Sequence, residues 1–456
     1  MDHTAKRVSP PNSHPLWRDG IEDLNLRPVD SDIDCDIAII GGGFTGLWSA
    51  YHLINLDSTL KIVVLESQKI GFGASGRNGG WVSADYPVDS ETLRHRYPDR
   101  DVSGFLTLLR DGVNEIGRFC LDHAPRAQYR KAGALLFATN ERQMKRLQTA
   151  TDDFHSLLNR KETQEKVAID SAIGSLFTKE CATVNPRGLL FDLANLLLRL
   201  GVKIYEDSKT EQVGEVLQVN SYEIHPIWRI FATEAFSLKD RKQIPLYSLM
   251  ISTRQLLESE RKGIGWEPGL ALAEATRNVN YAQLTSEYRI AAGGRGARYP
   301  YGSRTDQVFE ADTRTHQGLA EMLVRWFPQL TSSEPSQALA ITHHWGGPIA
   351  IRRDWESYIC VDKQERRARL GGYVGDGMTM SYLAAREVAR QVITGENGWA
   401  EMPISSDCRA TKRWPIEPFR YLGANMMISA IKRADRLERE GKRPLMISGV
   451  ESILGK

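Results

Sequence analysis

Residues 36–66 read DIAIIGGGFTGLWSAYHLINLDSTLKIVVLE, and the order of their parts decides the fold. Asp36–Ile40 is a short apolar run. Gly41, Gly43 and Gly46 then stand in a G-x-G-x-x-G, with Phe44 and Thr45 between the last two. An apolar helical pattern follows through Leu47, Ala50, Tyr51 and Ile54, and Lys61–Leu65 is a second buried run ending on Glu66, with Ser67 beside it. Each part has a physical task in binding a dinucleotide. The first glycine makes the tight turn, the second lets a pyrophosphate reach the backbone, and the third lets helix pack on strand. The helix N-terminus offers free N–H groups and the positive end of its dipole to the phosphates. Glu66, about 20 residues further on, accepts hydrogen bonds from ribose hydroxyls.

A second glycine-rich stretch follows, GFGASGRNGG at residues 71–80. A nicotinamide-binding fold goes on here to another helix and strand. A long loop of small residues instead suits a chain laid along a large flat ring and its ribityl-phosphate tail. Gly73, Ala74, Gly79 and Gly80 give close backbone approach, and Ser75, Arg77 and Asn78 supply polar contacts. The plain alternative is a flexible surface loop, since glycines punctuate loops everywhere.

Outward from this region, the chain carries 59 Lys and Arg against 57 Asp and Glu, a net charge of +2 that suggests neither nucleic acid nor a charged membrane surface as partner. No apolar stretch is long enough to span a bilayer. The first residues, with His3, Lys6 and Arg7, lack the apolar core of a secretory signal. Cys35, Cys120, Cys181, Cys360 and Cys408 are scattered and odd in number, without metal-ligand spacing. These absences give the expectation of reduced thiols, a cytoplasmic setting and no metal. There is no G-x-x-x-x-G-K-[ST] loop, H-E-x-x-H helix or G-x-S-x-G elbow.

The glycine fingerprint, the strand ending on Glu66 and Ser67, and the loop continuing into Trp81-Val82-Ser83 together resemble the N-terminal region of the D-amino-acid-oxidase-type FAD-dependent flavoproteins. Within that superfamily the chain is most similar to the gamma-glutamylputrescine oxidoreductase group. Tyr288–Gly296, Ile341–Pro348 and Gly371–Met378 carry the same resemblance, which spans roughly residues 15–430. It implies an α/β fold: a Rossmann-type FAD-binding domain interleaved with a strand-rich α+β substrate domain. The corresponding division is a leader at 1–30, an FAD-binding domain from 31–95, 181–240 and 351–400, a substrate and helical domain from 96–180 and 241–350, and a C-terminal helical extension at 401–456. Residues 88–180 read as mostly helical around one strand ending at Ala138. Leu16 and Trp17 of the leader are expected to pack back on the body.

The resemblance further implies that Ala232 and Thr233, ending the strand from Ile230, lie beside the cofactor. Residues 206–229 depart from the family pattern, and Val213 is chosen there as the adenine contact. Gly372, Gly375, Asp376, Gly377 and Met378 open a helix whose N-terminus would face the negatively charged edge of a flavin; a helix simply capped by glycine and Asp376 is the alternative. FAD is expected to be held non-covalently, because no cysteine or histidine lies within 71–80.

In the resembling family, hydride passes from the carbon next to an amine nitrogen to flavin N5, leaving an imine that water hydrolyses to an aldehyde or keto acid. The cofactor carries the hard chemistry, so the protein must bind, orient and dry the site. The catalytic candidates are accordingly pocket walls: Trp345 beside Gly346 and Gly347, Tyr373 with Tyr247 and Tyr281 as further rings of an amine cage, and Arg295, with Arg289 and Arg298, for a substrate carboxylate or superoxide. Each also reads as an ordinary core aromatic or ion-pairing arginine. His343 and His344 are neighbours on an expected strand, so at most one faces the site. The expected substrate is a gamma-glutamylputrescine-like amine, with O2 or another electron acceptor. The alternatives are an oxidative demethylase of N-methylated amino acids, a flavin-binding protein without turnover, and a nicotinamide-dependent dehydrogenase.

Overall fold

The computed structural model describes residues 12–236, 241–295, 297–330, 339–406 and 412–442. The first sheet runs β17 (Tyr358–Asp362), β18 (Arg367–Gly371), β11 (Tyr222–Phe231), β1 (Ile33–Ile40), β2 (Ile62–Leu65) and β8 (Lys203–Tyr205). The strands β10 (Val216–Val219) and β9 (Thr210–Val213) fold antiparallel beside β11. Parallel pairing joins β1 to β2 and β11, β2 to β8, and β11 to β18. Parallel neighbours need crossovers, and helices α1 (Phe44–Leu56) and α6 (Pro186–Arg199) lie in the connections leading to β2 and β8.

Such a sheet is covered on both faces, which is why its strands read as continuous apolar runs. Ile37 and Ile39 point into a core shared with α1, α6, α3 (Val102–His123) and α9 (Gly377–Thr394). Cys35, Ala38 and Ile40 point to the other side, against Val63, Leu65, Leu217 and Ile224. Helix α3 thus contributes to the first core although it falls within 96–180: Gly112 presses close to Thr379 and Leu383 of α9.

The second sheet runs β16 (Ile341–Arg352), β12 (Gln243–Gln255), β15 (Arg289–Arg295), β14 (Asn280–Leu284), β13 (Ala271–Glu274), β4 (Ala134–Ala138), β6 (Gly174–Thr178) and β5 (His155–Asn159). Leu319, Met322, Leu323 and Trp326 of α8 (Thr313–Trp326) pack with Phe137, Ile251, Leu272 and Ala292 of this sheet. A small pair, β3 (Trp81–Ser83) with β7 (Cys181–Thr183), completes the strands. Shorter helices are α2 (Ser90–Arg96), α4 (Glu141–Thr149), α5 (Arg160–Lys166) and α7 (Glu258–Ile264). Helix α10 (Phe419–Arg439) docks through Asp435, which accepts the N–H groups of Arg277 and Asn278 at 2.9 and 2.8 Å, and through Glu438, paired with Arg146 and Arg277.

Two expectations are corrected. Residues 88–180 contain β5 and β6 as well as β4, so they are less helical than read from sequence. The edge strand β5 is largely exposed and offers no contrast between two faces for a period-two signal to report. The thiols are also not all reduced. Cys35, Cys120 and Cys181 are free and buried, and burial pushes Cys35 and Cys120 up to about 12, but Cys360 is disulfide-bonded. Cys408 and Gly296 lie outside the described residues. Among the described residues no helix is long and apolar enough to cross a membrane.

Candidate cofactor and substrate site

The turn after β1 is too tight for any side chain. Gly41 has φ +114°, and a Cβ there would lie 2.5 Å from the carbonyl oxygen of Ala232. At Gly46 a Cβ would meet the carbonyl oxygen of Gly41 at 1.9 Å, which is the close packing of helix on turn that the third glycine permits. At Gly43 a Cβ would lie 2.8 Å from Ser75 Oγ. Ser75 Oγ accepts the N–H of Phe44 at 2.8 Å, but Gly43, the N-cap of α1, has no side chain to cap the helix. Donors of that first turn therefore stay available to an anion, as a phosphate site needs.

Glu66 closes the turn from the neighbouring strand. Its carboxylate accepts N–H groups from Gly42 at 2.7 Å and Gln68 at 2.9 Å and the Ser67 hydroxyl at 3.2 Å. Burial raises its carboxyl above the usual range, and the Gly42, Gln68 and Ser67 donors pull it back down. A carboxylate has about four lone-pair sites, so it keeps acceptor capacity for a ribose hydroxyl. The backbone bonded to Glu66 comes from the end of β8: Glu66 N–H donates to Tyr205 O, and Ser208 N–H donates to Glu66 O at 2.8 Å. Val213, in contrast, is 54% exposed at the end of β9.

The Gly71–Gly80 loop lies where the two sheets meet. Gly79 packs against the Tyr281 ring, where a Cβ would come within 2.3 Å. Gly80, at φ +69°, leaves no room beside Gln283, whose amide donates to Gly79 O at 2.6 Å. Asn78 Oδ1 accepts Gly80 N–H at 2.7 Å, and the Asn78 amide donates to Ser75 O at 2.8 Å. Gly73 approaches Phe236. Opposite, Glu234 follows Ala232 and Thr233 and ties that turn to the other glycine turn by accepting the N–H groups of Gly372 at 2.9 Å and Tyr373 at 3.2 Å. Burial lifts the Glu234 carboxyl to about 7 against those two donors.

Between the loop and the second sheet lies a cavity of about 260 Å³. Ala74, Arg77, Asn78 and Gly79 form one wall, and Gly375, Asp376, Met378 and Thr379 at the N-terminus of α9 form another. The second sheet contributes Leu136, Ser248, Ala273, Val279, Tyr281, Arg295, Gly347 and Ile349, while Trp81, Ser83 and Asp85 close the remainder. Arg77 is paired with Glu310 and donates to Gly346 O at 3.0 Å. Arg295 donates to Val374 O and lies over the Trp355 ring. Asp85 is exposed where it opens onto the cavity, yet the protein massed around it raises its carboxyl, with His155 and the Ser83 hydroxyl pulling it down.

Of the three catalytic candidates, Arg295 lines this cavity; Trp345 and Tyr373 do not. Trp345 is buried behind the loop and donates its indole N–H to Arg77 O at 2.8 Å. Tyr373 is buried below α9, and its hydroxyl accepts from Thr45 at 3.3 Å. Both support walls instead of forming them. Tyr247 is buried against Asp306, and Arg289 is paired with Asp19. Trp81 and Ser83, read only as part of the resemblance, and Asp85 were not expected as site residues, although Trp81 and Ser83 alternate on β3 and so share one face of it.

A parallel α/β sheet with this glycine cradle, opening onto a second strand-rich sheet, defines a dinucleotide-dependent oxidoreductase. The family model described as FAD dependent oxidoreductase matches residues 36–391, and the chain belongs to that family. It is 25% identical over 386 residues to the gamma-glutamylputrescine oxidoreductase of Escherichia coli, covering 79% of this chain and 84% of the relative. It is 23% identical over 395 residues to the probable oxidoreductase OrdL of Haemophilus influenzae, covering 82% and 86%. The fold is similar to that of glycine oxidase from Geobacillus kaustophilus, with a TM-score of 0.66 at 16% identity over 82% of this chain and 99% of that one. L-proline dehydrogenase from P. horikoshii gives a TM-score of 0.63 at 17% identity over 82% and 97%.

Proposed function

We propose that this FAD-dependent oxidoreductase oxidises the C–N bond of a gamma-glutamylputrescine-like amine. Gly41, Gly43, Gly46 and the first turn of α1 hold the pyrophosphate, Glu66 and Ser67 the adenosine ribose, and Gly73–Gly80 the flavin side. Tyr205–Ser208, bonded to Glu66 and Gln68, takes the adenine role first given to Val213. FAD is held without a covalent bond. When bound, it supplies the two-electron acceptor for hydride from the carbon beside the nitrogen.

The observation that carries the substrate reading is Asp85. A carboxylate with a raised pKa faces a cavity that also holds the Trp81 and Tyr281 rings, set edge to face at 5.8 Å. Aromatic faces and a carboxylate attract an ammonium group. Asp85 orients the incoming amine and takes its proton, leaving the neutral nitrogen whose lone pair becomes the second bond of the imine. Water then adds to the imine carbon, and the C–N bond breaks to give an aldehyde and ammonia. Arg295, on the same cavity, holds the carboxylate at the far end of a glutamylated substrate.

Rapid-mixing reduction of wild type and Asp85→Asn under anaerobic conditions tests this. General-base contributions run about 10²–10⁴-fold, so the variant should be reduced at least about 100-fold more slowly by gamma-glutamylputrescine at neutral pH. Equal rates would remove Asp85 from the reaction. Faster reduction of wild type by N-methylglycine than by the glutamylated diamine would favour the demethylase reading.

A further inference from the structure

The N-terminal segment crosses from the second sheet to the first over the back of the Gly71–Gly80 loop. Asn12 N–H donates to Thr342 O at 2.8 Å, and its carbonyl accepts His344 N–H at 2.9 Å, a parallel bridge to the edge of β16. Further on, Asp23 pairs with Arg187 of α6 at 2.5 Å, and Leu26 N–H donates to Glu206 at 3.0 Å beside the end of β8. Between these anchors Trp17 is inserted into the body with 2% of its surface exposed.

Its indole N–H donates to Asn78 O at 2.9 Å, next to the Arg77 carbonyl that accepts from Trp345 at 2.8 Å. The two rings meet edge to face with centroids 6.1 Å apart and planes at 78°. Arg77 sits outside both helical and strand conformations, at φ −130° and ψ −6°. The two carbonyls therefore have no place in a regular ladder and need partners of their own. Both residues also line the cavity.

Asp19 fastens the segment through Arg289 at 2.9 Å and His343 at 3.3 Å. His14, Asp19 and His343 bring ligand atoms within 4.8 Å of one another, as a metal site would. The Arg289 guanidinium, however, reaches Asp19 and lies 3.2 Å from His343 Nδ1. A fixed cation in the cluster opposes a metal ion and makes the group a latch.

We infer that Trp17 is a positioning residue for the cofactor site: with Trp345 it fixes the Arg77–Asn78 backbone, and residues 12–21 are the strap that delivers it. The inference rests on the reading of Gly71–Gly80 as the cofactor loop. It adds that cofactor affinity depends on a segment outside the nucleotide-binding unit.

The test uses Trp17→Phe, which keeps a packed ring and removes the N–H, in purified holoprotein. Three readouts are the FAD dissociation constant from the fluorescence of released FAD, the visible circular dichroism of bound flavin, and the melting temperature of the apoprotein. The expected result is an FAD dissociation constant raised about tenfold, about 1.4 kcal/mol, with an altered flavin dichroism and apoprotein melting shifted by at most a few degrees. Asp19→Asn, which loosens the latch without touching either indole, should shift affinity and dichroism in the same direction by less, and keeps the test open if the Trp17 variant does not fold. Unchanged affinity and dichroism in both variants would overturn the strap's role. So would losses of affinity that merely follow losses of apoprotein stability. A wild type that takes up no FAD would overturn the cofactor reading itself, and the strap with it.

Discussion

From Gly41 to Glu66 the parts of the nucleotide cradle follow one another along the chain, whereas the cavity draws Tyr281, Arg295 and Gly347 from three strands of the second sheet, Asp85 from the loop after β3 and Asp376 from the start of α9. The difference lies in what sets the geometry. In the cradle, short-range sterics decide: a Cβ at Gly46 would sit 1.9 Å from a carbonyl only five residues earlier in the chain. In the cavity, the register of antiparallel pairs decides, such as Ser248 opposite both Arg295 and Gly347, and Tyr281 opposite Gly293. Changes in the first region should act on cofactor binding and folding, and changes in the second on turnover.

Gly46→Val should have the largest effect. Overpacking costs about 1–3 kcal/mol where side chains can move, and here the obstacle is backbone. The expected outcome is protein without bound flavin or no soluble protein, read from flavin content after desalting; a yellow, stable Gly46→Val would break the steric account of the cradle. The cavity counterpart is Asp85→Asn, which should keep wild-type flavin content while its reduction rate falls. Loss of FAD along with rate in that variant would show that the two regions are not separable.

The smallest effect concerns pH. An unfolded glutamate titrates near 4.3, but Glu234 in the folded protein titrates at about 7. Between those values the folded state holds a proton that the unfolded chain has released, so stability falls as pH rises through that window. Denaturant unfolding at pH 5 and pH 8 should show a smaller loss for Glu234→Gln than for wild type. Identical losses would mean that burial does not hold a proton on Glu234 and that the Gly372 and Tyr373 N–H donors outweigh it.

Legibility in the sequence followed the same division. The strand, turn, helix and acid of residues 36–66 could be read because each is recognised from neighbours in the chain, and Leu16 and Trp17 could be read as returning to the body. Trp345 and Tyr373 were legible as large buried rings, but nothing local tells a ring that lines a cavity from one that braces its wall. Trp345 braces Arg77, and Tyr373 meets Thr45 in the α1 turn. Asp85 was missed because a lone acid after a glycine loop looks like surface. Its place on the cavity depends on Tyr281 and α9, brought to it from distant parts of the chain. Val213 was chosen from a compressed apolar pattern whose Leu217, Val219 and Ile224 are buried in the core, whereas Val213 itself lies on the exposed strand β9.

The most direct measurement is an anaerobic titration of the purified wild-type protein with gamma-glutamylputrescine, followed in the visible spectrum. A yellow protein whose colour bleaches in proportion to added amine is the predicted result, joining the cradle's cofactor to the cavity's substrate in one observation. A protein that stays colourless after incubation with FAD, or a yellow one that neither this amine nor any other bleaches, would contradict the account.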